Sequence, residues 1–273
     1  MMKPPPIAPA LAAALAILAL TASPAQAVLV ARSLDSDAST TEAYYDTTLG
    51  ITWMRDRNHL AQVTSGMVST GFVTWADGDA AITALNAGSA SSTAGYGLSA
   101  WRMPTASGVA TIGGAGCQFG FNGSTDCGSN VDTGSSELAH MFHVNLGNVS
   151  SRDGSGNLRP GSFGVDFGLV HDDDFLNLET GRYWSSTDSY RLIFGMPLNG
   201  KVSFDFNDGS QTITAATASA RGFVWLVHDG DVGTAVAHAV PEPASLALVG
   251  MGLLALGATG RRAAVPAAAA PAF

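Results

Sequence analysis

Apolar residues recur with helical spacing in two segments of the chain. In the first, about Thr74–Asn86, Ile82 and Leu85 share one helical face. Thr74 can cap the N-terminus, and Asp77, three residues later, completes a loose capping box. This pattern predicts a helix that begins at Thr74.

The second segment with helical spacing is about Ser135–Leu146. A serine at its start can cap the helix, and Glu137 favours the positive end of the helix dipole. Its apolar positions follow the i, i+3, i+4, i+8 spacing of one helical face. They are Leu138, Met141, Phe142 and Leu146.

Other segments have the alternation that predicts short strands. GITWM from Gly50 and KVSFDF from Lys201 alternate, and NDG (Asn207–Gly209) predicts a tight turn into the strand SQTIT. GFVWLV from Gly222 is apolar throughout, which predicts a central strand covered on both faces. Ser150–Asp174 has neither pattern and is predicted to be a long loop. Two helices among short antiparallel strands indicate an α+β fold.

The N-terminal segment has the features of a signal peptide. Lys3 is followed by the apolar run Leu11–Leu20 and by SPAQA, in which Ala25 and Ala27 form a small-x-small site. We therefore predict that signal peptidase cleaves after Ala27 and removes residues 1–27. An uncleaved anchor is the alternative, but it needs a longer apolar run.

Acidic residues dominate the portion between the two ends. All 22 Asp and Glu lie between Asp35 and Glu242, whereas Lys3, Arg261 and Arg262 lie outside. That portion therefore carries 10 basic residues and a net charge of −12. A field of this sign repels nucleic acid and anionic glycans, so we expect no nucleic-acid partner. It favours cations, neutral sugars or basic protein surfaces.

The chain contains two cysteines, Cys117 and Cys127, in the segment GCQFGFNGSTDCG. In an oxidising compartment such a close pair predicts a disulfide that closes a small glycine-rich loop. Free or metal-binding thiols are the alternative. A bond across so short a loop stabilises by a few kcal/mol at most.

Two acidic segments of the predicted loop carry the hard oxygen ligands that calcium prefers. HDDD (His171–Asp174) concentrates three carboxylates, and DGSGN (Asp153–Asn157) has an Asp-x-Ser-x-Asn spacing. Neither is a complete twelve-residue calcium loop, so a solvated acidic loop is the alternative. The predicted calcium ligands are Asp153, Asn157, Asp172 and Asp174.

Neutral sugars bind proteins by stacking on exposed aromatic rings, and four residues are candidates for this role. Each of them can equally be a buried core residue. They are Phe119, Phe121, Phe175 and Tyr190. The predicted ligand-binding residues are Tyr190 and the three aspartates Asp172, Asp173 and Asp174.

Other motifs favour structural roles. Glu137, His140 and His143 recur every third residue, but they lack the His-Glu-x-x-His zinc signature. Ser185 and Ser186 lie outside any Gly-x-Ser-x-Gly motif, so no catalytic residue is predicted. The predicted core residues are Trp53, Trp101, Arg102, Trp184 and Trp225. Arg102 is expected to satisfy buried carbonyls or a carboxylate.

Several of these segments occur in an order that resembles one bacterial domain family. The match extends from Asp35 to Val232 and includes YYDTTLGITWMRDRN, WRMPT, ELAHMF, YWSST and RGFVWLVHDGD. It resembles the domain named after the C-terminal part of the Legionella collagen-like adhesin. The resemblance implies a fold similar to C-type lectins and formylglycine-generating enzymes, with buried tryptophans. Members of this family are mostly non-catalytic surface proteins, and the type member binds glycosaminoglycans.

The C-terminal segment resembles the PEP-CTERM sorting signal. VPEPAS (Val240–Ser245) precedes an apolar run, Leu246–Thr259, that is slightly shorter than an ordinary membrane span. The prolines keep the peptide extended, and the following arginines hold the end of the span in the cytoplasm. The resemblance implies cleavage by an exosortase near Pro-Glu-Pro. The motif residues are Pro241, Glu242, Pro243, Arg261 and Arg262.

Together these patterns predict four parts: a signal peptide (1–27), a lectin-like domain (28–239), a sorting signal with a short transmembrane segment (240–262) and an Ala/Pro-rich tail (263–273). The protein is expected to be anchored briefly in the inner membrane of a Gram-negative bacterium and then delivered to the cell surface or matrix. There it is expected to bind exopolysaccharide or other matrix components without catalysis. The alternatives are an enzyme of the formylglycine-generating type and a structural matrix protein without a specific ligand.

Overall fold

The computed structural model describes residues 29–64, 71–88, 94–106 and 117–236. Contacts divide the chain into two units, Met1–Val236 and Ala237–Phe273, and only the first contains described residues. The predicted signal peptide, sorting signal and tail therefore lie outside the described ranges. Within those ranges, no helix combines the length and the apolar composition that a membrane crossing requires.

The described strands form two sheets. The five-stranded sheet has the order β11-β3-β2-β1-β12 and the seven-stranded sheet the order β4-β10-β7-β8-β9-β6-β5. Most neighbouring strands are antiparallel, as the short alternating segments predict. The strands are β1 Leu29–Ser33, β2 Ala43–Asp46, β3 Ile51–Met54, β4 Phe72–Val73, β5 Phe119–Gly120, β6 Cys127–Ser129, β7 Arg182–Ile193, β8 Met196–Asp205, β9 Ser210–Thr214, β10 Gly222–Phe223, β11 Val227–Asp229 and β12 Thr234–Ala235.

The first predicted helix is present as Trp75–Asn86, which we call α2. The Thr74 hydroxyl oxygen accepts a hydrogen bond from the Asp77 backbone N–H at 3.1 Å and donates to the Asp77 carboxylate at 2.6 Å. Thr74 and Asp77 therefore cap the helix through two hydrogen bonds to each other. A five-residue helix, α1 His59–Val63, precedes it and was not predicted, because its apolar pattern is too short to show a period.

The second predicted helix is present but not regular. It begins as α3 Glu137–His140, capped by the Ser136 hydroxyl, and continues as a π-helical turn over Met141–Asn145. The widened turn is closed by a hydrogen bond from Leu146 N to Met141 O at 2.9 Å. A π turn adds one residue per turn without breaking the apolar stripe, so the sequence pattern does not reveal it.

The prediction that GFVWLV forms one central strand is wrong. Gly222–Phe223 is β10 of the seven-stranded sheet, whereas β11 of the five-stranded sheet begins at Val227. The three residues between them are buried but belong to neither ladder. The apolar run therefore marks a segment that passes from one sheet to the other through the core.

The core is built around aromatic side chains. Trp225 lies 4.8 Å from Trp53 and 5.0 Å from Phe175 between ring centroids. The indole nitrogens of Trp184 and Trp225 donate to the carbonyls of Val73 and Met54, whereas that of Trp53 has no acceptor among the described residues. The four predicted core tryptophans are all buried: Trp53, Trp101, Trp184 and Trp225.

Arg102 connects three segments at the edge of this core. Its guanidinium donates two hydrogen bonds to Glu137 of α3, at 2.8 and 2.9 Å, and two to Asp229 of β11. Its backbone also pairs with Val227. Burial disfavours the charged guanidinium, but the hydrogen bonds to both carboxylates raise the pKa of Arg102 overall. The prediction that Arg102 satisfies a carboxylate is confirmed.

Residues 150–174 form a loop without strands or helices, as predicted, apart from two isolated bridges. Two polar side chains fix its first part, one against the domain and one within the loop. The Ser150 hydroxyl donates to Gly209 O at 2.7 Å, and the Arg159 side chain donates to Ser150 O at 2.9 Å. The predicted turn over Asn207–Gly209 joins β8 to β9, with Gly209 at φ +70°.

Candidate functional site

An open groove of about 310 Å³ lies where the end of this long loop meets the five-stranded sheet. β1 and β2 supply one wall of it, and the predicted HDDD segment supplies the other. We call it the Tyr44 groove. Its lining residues are Leu29, Tyr44, Asp173, Asp174 and Phe175.

Buried polar groups fix the acidic wall of the groove through its backbone. The Asn148 side-chain oxygen accepts hydrogen bonds from the backbone N–H groups of Val170 and His171, at 2.9 and 2.8 Å, and its amide donates to His171 O. Asn148 is 2% exposed, so these bonds form away from solvent. The long loop is therefore held in place where the acidic segment, His171–Asp174, begins.

A second anchor lies at the exit of the acidic segment. The Arg55 side chain donates to Asp174 O at 2.8 Å, and the Leu176 N–H donates to Arg55 O at 2.9 Å. Between the two anchors, Asp173 adopts a positive φ of +46° and the Phe175 N–H bonds to Asp172 O. The backbone is held at both ends, and the aspartate side chains are exposed.

The floor of the groove is aromatic and continuous with the core. The Tyr44 ring meets the Phe175 ring edge-on at 5.0 Å, and Phe175 in turn contacts Trp225. Burial, together with the nearby Asp174 carboxylate, raises the pKa of Tyr44 to about 12, although Arg55 opposes the shift. Tyr44 is therefore a neutral hydroxyl at physiological pH and can donate or accept a hydrogen bond.

Asp173 is the carboxylate of the groove whose titration is shifted. Burial raises its pKa above the usual 3.8, and the charges of Asp174 and Asp172 act in the same direction, while His171 opposes them. At neutral pH the group is still an acceptor with two oxygens. Two carboxylates beside a half-buried phenol thus offer acceptors, one donor and an aromatic surface in one concave site.

The predicted calcium ligands are not gathered at one point. Asp153 accepts hydrogen bonds from Ser155 N and from Asn157, which closes a local turn. Among the described residues, the group of three metal-ligating side chains that lie close together is Cys117, Asp126 and Cys127. Its sulfur atoms are joined in a disulfide, as predicted. Calcium binding by Asp153, Asn157, Asp172 and Asp174 stays a prediction.

The aromatic residues that are candidates for sugar stacking differ in their exposure, and Tyr190, the one predicted to bind a ligand, is buried. Tyr190 is 4% exposed within β7, and its carbonyl accepts a hydrogen bond from Cys117 N, so its ring packs and does not offer a surface for a ligand. Phe119 is exposed and meets Phe121 edge-on at 5.7 Å. Phe175 lies under the Tyr44 groove.

Glu137, His140 and His143 do not converge on a zinc site. Glu137 is bound to Arg102, and His143 Nδ1 lies 3.0 Å from Asn148 O. His140 Nε2 lies 3.6 Å from the buried Asp46 carboxylate. Burial lowers the pKa of His143. The three side chains therefore hold α3 and its π turn against different neighbours, which agrees with the structural role expected of them.

Tyr44 and Leu29 are the groove residues that the sequence analysis missed. Tyr44 lies in YYDTTLG, next to a strand, but nothing in that segment indicates that it faces residues far along the chain. Its pairing with the acidic segment arises from tertiary contacts of Arg55 and Leu176. The tyrosine and the acidic segment therefore come together only when the chain folds.

Comparison with known protein families gives a match in the C-terminal segment of the chain. The family model of the PEP-CTERM protein-sorting motif matches residues 239–262. The chain carries a PEP-CTERM sorting motif. This motif implies processing by an exosortase and export to the cell surface of a Gram-negative bacterium. No curated protein and no solved structure matches the chain. The resemblance of residues 35–232 to the Legionella adhesin domain gains no support from these comparisons.

Proposed function

We propose that this protein is a non-catalytic surface or matrix protein that binds exopolysaccharide or another neutral matrix component in the Tyr44 groove. The observation that carries the proposal is the groove itself, in which a half-buried tyrosine faces Asp173 and Asp174. The sorting motif supports it, because the motif implies export to the cell surface, where an extracellular polymer would be accessible.

The chemistry of the groove suits hydroxyl-rich, uncharged ligands. Sugar hydroxyls donate to carboxylate oxygens, and the apolar faces of sugar rings pack on aromatic side chains such as Tyr44. Both aspartates are exposed on a domain whose net charge is already strongly negative. Anionic glycans would be repelled by this field, so a neutral polymer is the favoured class.

A lectin-like fold is part of the proposal. Its support is the arrangement of short strands with few helices around four buried tryptophans, together with a long loop that supplies the binding wall. The family resemblance implies a C-type-lectin-like fold with buried tryptophans.

The disulfide argues against the enzymatic alternative. Chemistry of the formylglycine-generating type needs cysteine thiolates to bind copper. Cys117 and Cys127 are the chain's two cysteines, and they are joined to each other. A structural matrix protein without a ligand is the other alternative, and binding experiments distinguish it from a lectin.

Affinity electrophoresis of the full chain through gels that contain extracellular polysaccharide from producing cells tests the proposal. We expect retardation of the wild type and its loss in the double variant Asp173→Asn/Asp174→Asn. The control Asp79→Asn/Glu179→Gln changes two exposed acidic residues outside the groove and therefore makes the same change in net charge. Relative to a gel without polysaccharide, it should be retarded as much as the wild type.

Runs with and without calcium give a separate result. Retardation only in calcium would support the predicted ion, whereas retardation in both would favour direct hydrogen bonding. No retardation of the wild type in either condition would contradict the proposed function and favour the purely structural alternative.

A further inference from the structure

Beyond Tyr190, whose carbonyl accepts a hydrogen bond from Cys117 N, the β7–β8 hairpin extends past the other described strands of the seven-stranded sheet. The ladder between β8 and β9 ends at Lys201 and Thr214, yet β8 begins five residues earlier, at Met196. Over this distance β7 and β8 pair with each other, from Ser189 and Gly200 to Ile193 and Met196. The hairpin therefore forms an arm whose tip is the two-residue turn between Ile193 and Met196.

The tip is strongly apolar and exposed. Phe194 is 97% exposed, Met196 67% and Leu192 50%. We call these three residues the apolar tip. The cross-strand pairs Leu192–Pro197 and Ile193–Met196 place Leu192 and Met196 on opposite faces of the hairpin, so the tip exposes apolar side chains on both faces. Exposed apolar surface of a few hundred Å² on a domain is often an interaction site. Here the side chains stand at the end of an arm, where the described part of the domain offers no core for them.

The turn itself does not explain the choice of phenylalanine. Phe194 and Gly195 adopt φ of +51° and +79°, the left-handed conformations that a primed hairpin turn requires. Asn-Gly is the favoured sequence for such a turn, and a bulky residue at positive φ is strained. Phe194 is therefore neither favoured by its backbone nor buried by any residue that the structure describes, which points to a role in contacts outside these residues.

The size of the tip decides between two kinds of partner. Three side chains of this size at these exposures offer about 400 Å² of apolar surface. A stable protein interface needs about 800 Å² from each partner. The convex tip is therefore too small to hold a second copy by itself, whereas insertion into the boundary between lipid headgroups and acyl chains needs only a few apolar side chains.

The charge pattern of the arm agrees with a membrane. Residues 189–200 contain no acidic residue, although the portion of the chain around them carries a net charge of −12. Insertion of this segment would therefore bring no carboxylate of its own into the lipid interface. The sorting motif also implies a stage at the membrane, before exosortase processing.

We propose that the apolar tip of Leu192, Phe194 and Met196 inserts into the interface of a phospholipid bilayer. The arm would hold the domain at the membrane surface in a defined orientation while the C-terminal segment is processed. This proposal does not depend on the polysaccharide site, because the Tyr44 groove is formed by other strands and by the 170–176 segment.

Depth-dependent quenching in the full chain tests the proposal. Phe194→Cys is labelled with an environment-sensitive dye while the native cysteines remain in their disulfide, and phosphatidylcholine vesicles carry a quencher on their acyl chains. Phe163→Cys is the matched control, because Phe163 is another exposed phenylalanine, in the 150–174 loop. Residues 1–28 and 237–273 are present in both variants, so the comparison isolates the position of the dye.

We expect the emission of the dye at position 194 to shift to the blue and to be quenched, and the dye at position 163 to be unchanged. Adding Leu192→Ser and Met196→Ser should reduce the quenching at position 194 to roughly half or less. No quenching at position 194, or equal quenching at both positions, would overturn the proposal. A blue shift that needs no lipid and grows with protein concentration would also overturn it, because a second copy would then cover the tip.

Discussion

The core around Trp225 and the acidic segment 171–174 meet at Phe175 but are held in opposite ways. In the core, large side chains are buried against one another, and the indole groups of Trp184 and Trp225 donate to backbone carbonyls. In the acidic segment, the buried Asn148 and the partly buried Arg55 hold the backbone, and the aspartate side chains are exposed. Stability and the proposed binding therefore depend on different residues, so substitutions should separate the two properties.

The largest loss of stability is expected from Trp225→Ala. This change empties the centre of an aromatic cluster and removes the hydrogen bond to Met54 O. Truncation of a buried large aromatic residue costs about 3 to 5 kcal/mol in the free energy of unfolding. Urea unfolding followed by far-UV circular dichroism measures it. A loss below about 1 kcal/mol would mean that the core does not hold the domain together.

The next largest effect is expected from Arg102→Met, which leaves Glu137 without its bidentate partner. We expect a loss of about 2 kcal/mol, less than for a fully buried ion pair because Asp229 is mostly exposed. Arg221→Met breaks an exposed ion pair with Asp77 and should cost almost nothing. Unfolding measurements on Arg102→Met and Arg221→Met test these two losses. The double variant Arg102→Met/Glu137→Leu shows how much of the first loss comes from the unpaired Glu137 carboxylate. Equal losses for Arg102→Met and Arg221→Met would contradict a special role for Arg102.

A smaller loss is expected from Tyr183→Phe. The Tyr183 hydroxyl donates to Glu179 O at 2.9 Å and accepts from Glu179 N at 3.0 Å, so its removal should cost about 1 to 2 kcal/mol. Burial raises the pKa of Tyr183 above the ordinary 10.0, so the folded state retains a proton that the unfolded state loses. Wild-type stability should therefore fall as the pH rises above about 10. Thermal melts that fall equally steeply in Tyr183→Phe would contradict this assignment.

The smallest effect on stability, with the largest effect on binding, is expected from Asp173→Asn. The pKa of Asp173 is raised, so its charge slightly destabilises the fold at neutral pH, and the variant should be as stable as the wild type or slightly more stable, within about 0.5 kcal/mol. Polysaccharide binding by the wild type should weaken as the pH falls, beginning above the usual aspartate value of 3.8. Binding of the wild type measured by fluorescence at several pH values checks the second expectation, and unfolding of Asp173→Asn checks the first. A marked loss of stability would mean that the segment is structural.

Local features of the chain could be predicted because each depends on residues close in sequence. The cap at Thr74 and Asp77, the turn at Asn207–Gly209 and the Cys117–Cys127 disulfide all belong to this class. The signals concerned are side-chain hydrogen bonds to nearby backbone, glycine conformations and short covalent loops.

Tertiary features could not be predicted in the same way. GFVWLV is apolar because it is buried, and burial alone does not distinguish a strand from a segment that passes between two sheets. Tyr190 is aromatic and close to polar residues in sequence, yet its strand faces it into the domain. The Tyr44 groove combines β2 with the end of a distant loop, and its composition follows from the contacts of Arg55 and Asn148.

Hydrogen exchange of the full chain with and without saturating matrix polysaccharide tests the central claim most directly. The Tyr44 groove predicts slower exchange of backbone amides in residues 43–46 and 171–176, with no change in residues 153–157 or 119–121. Protection confined to other segments, or no protection at a concentration that retards the protein in gels, would contradict the claim that this groove is the binding site.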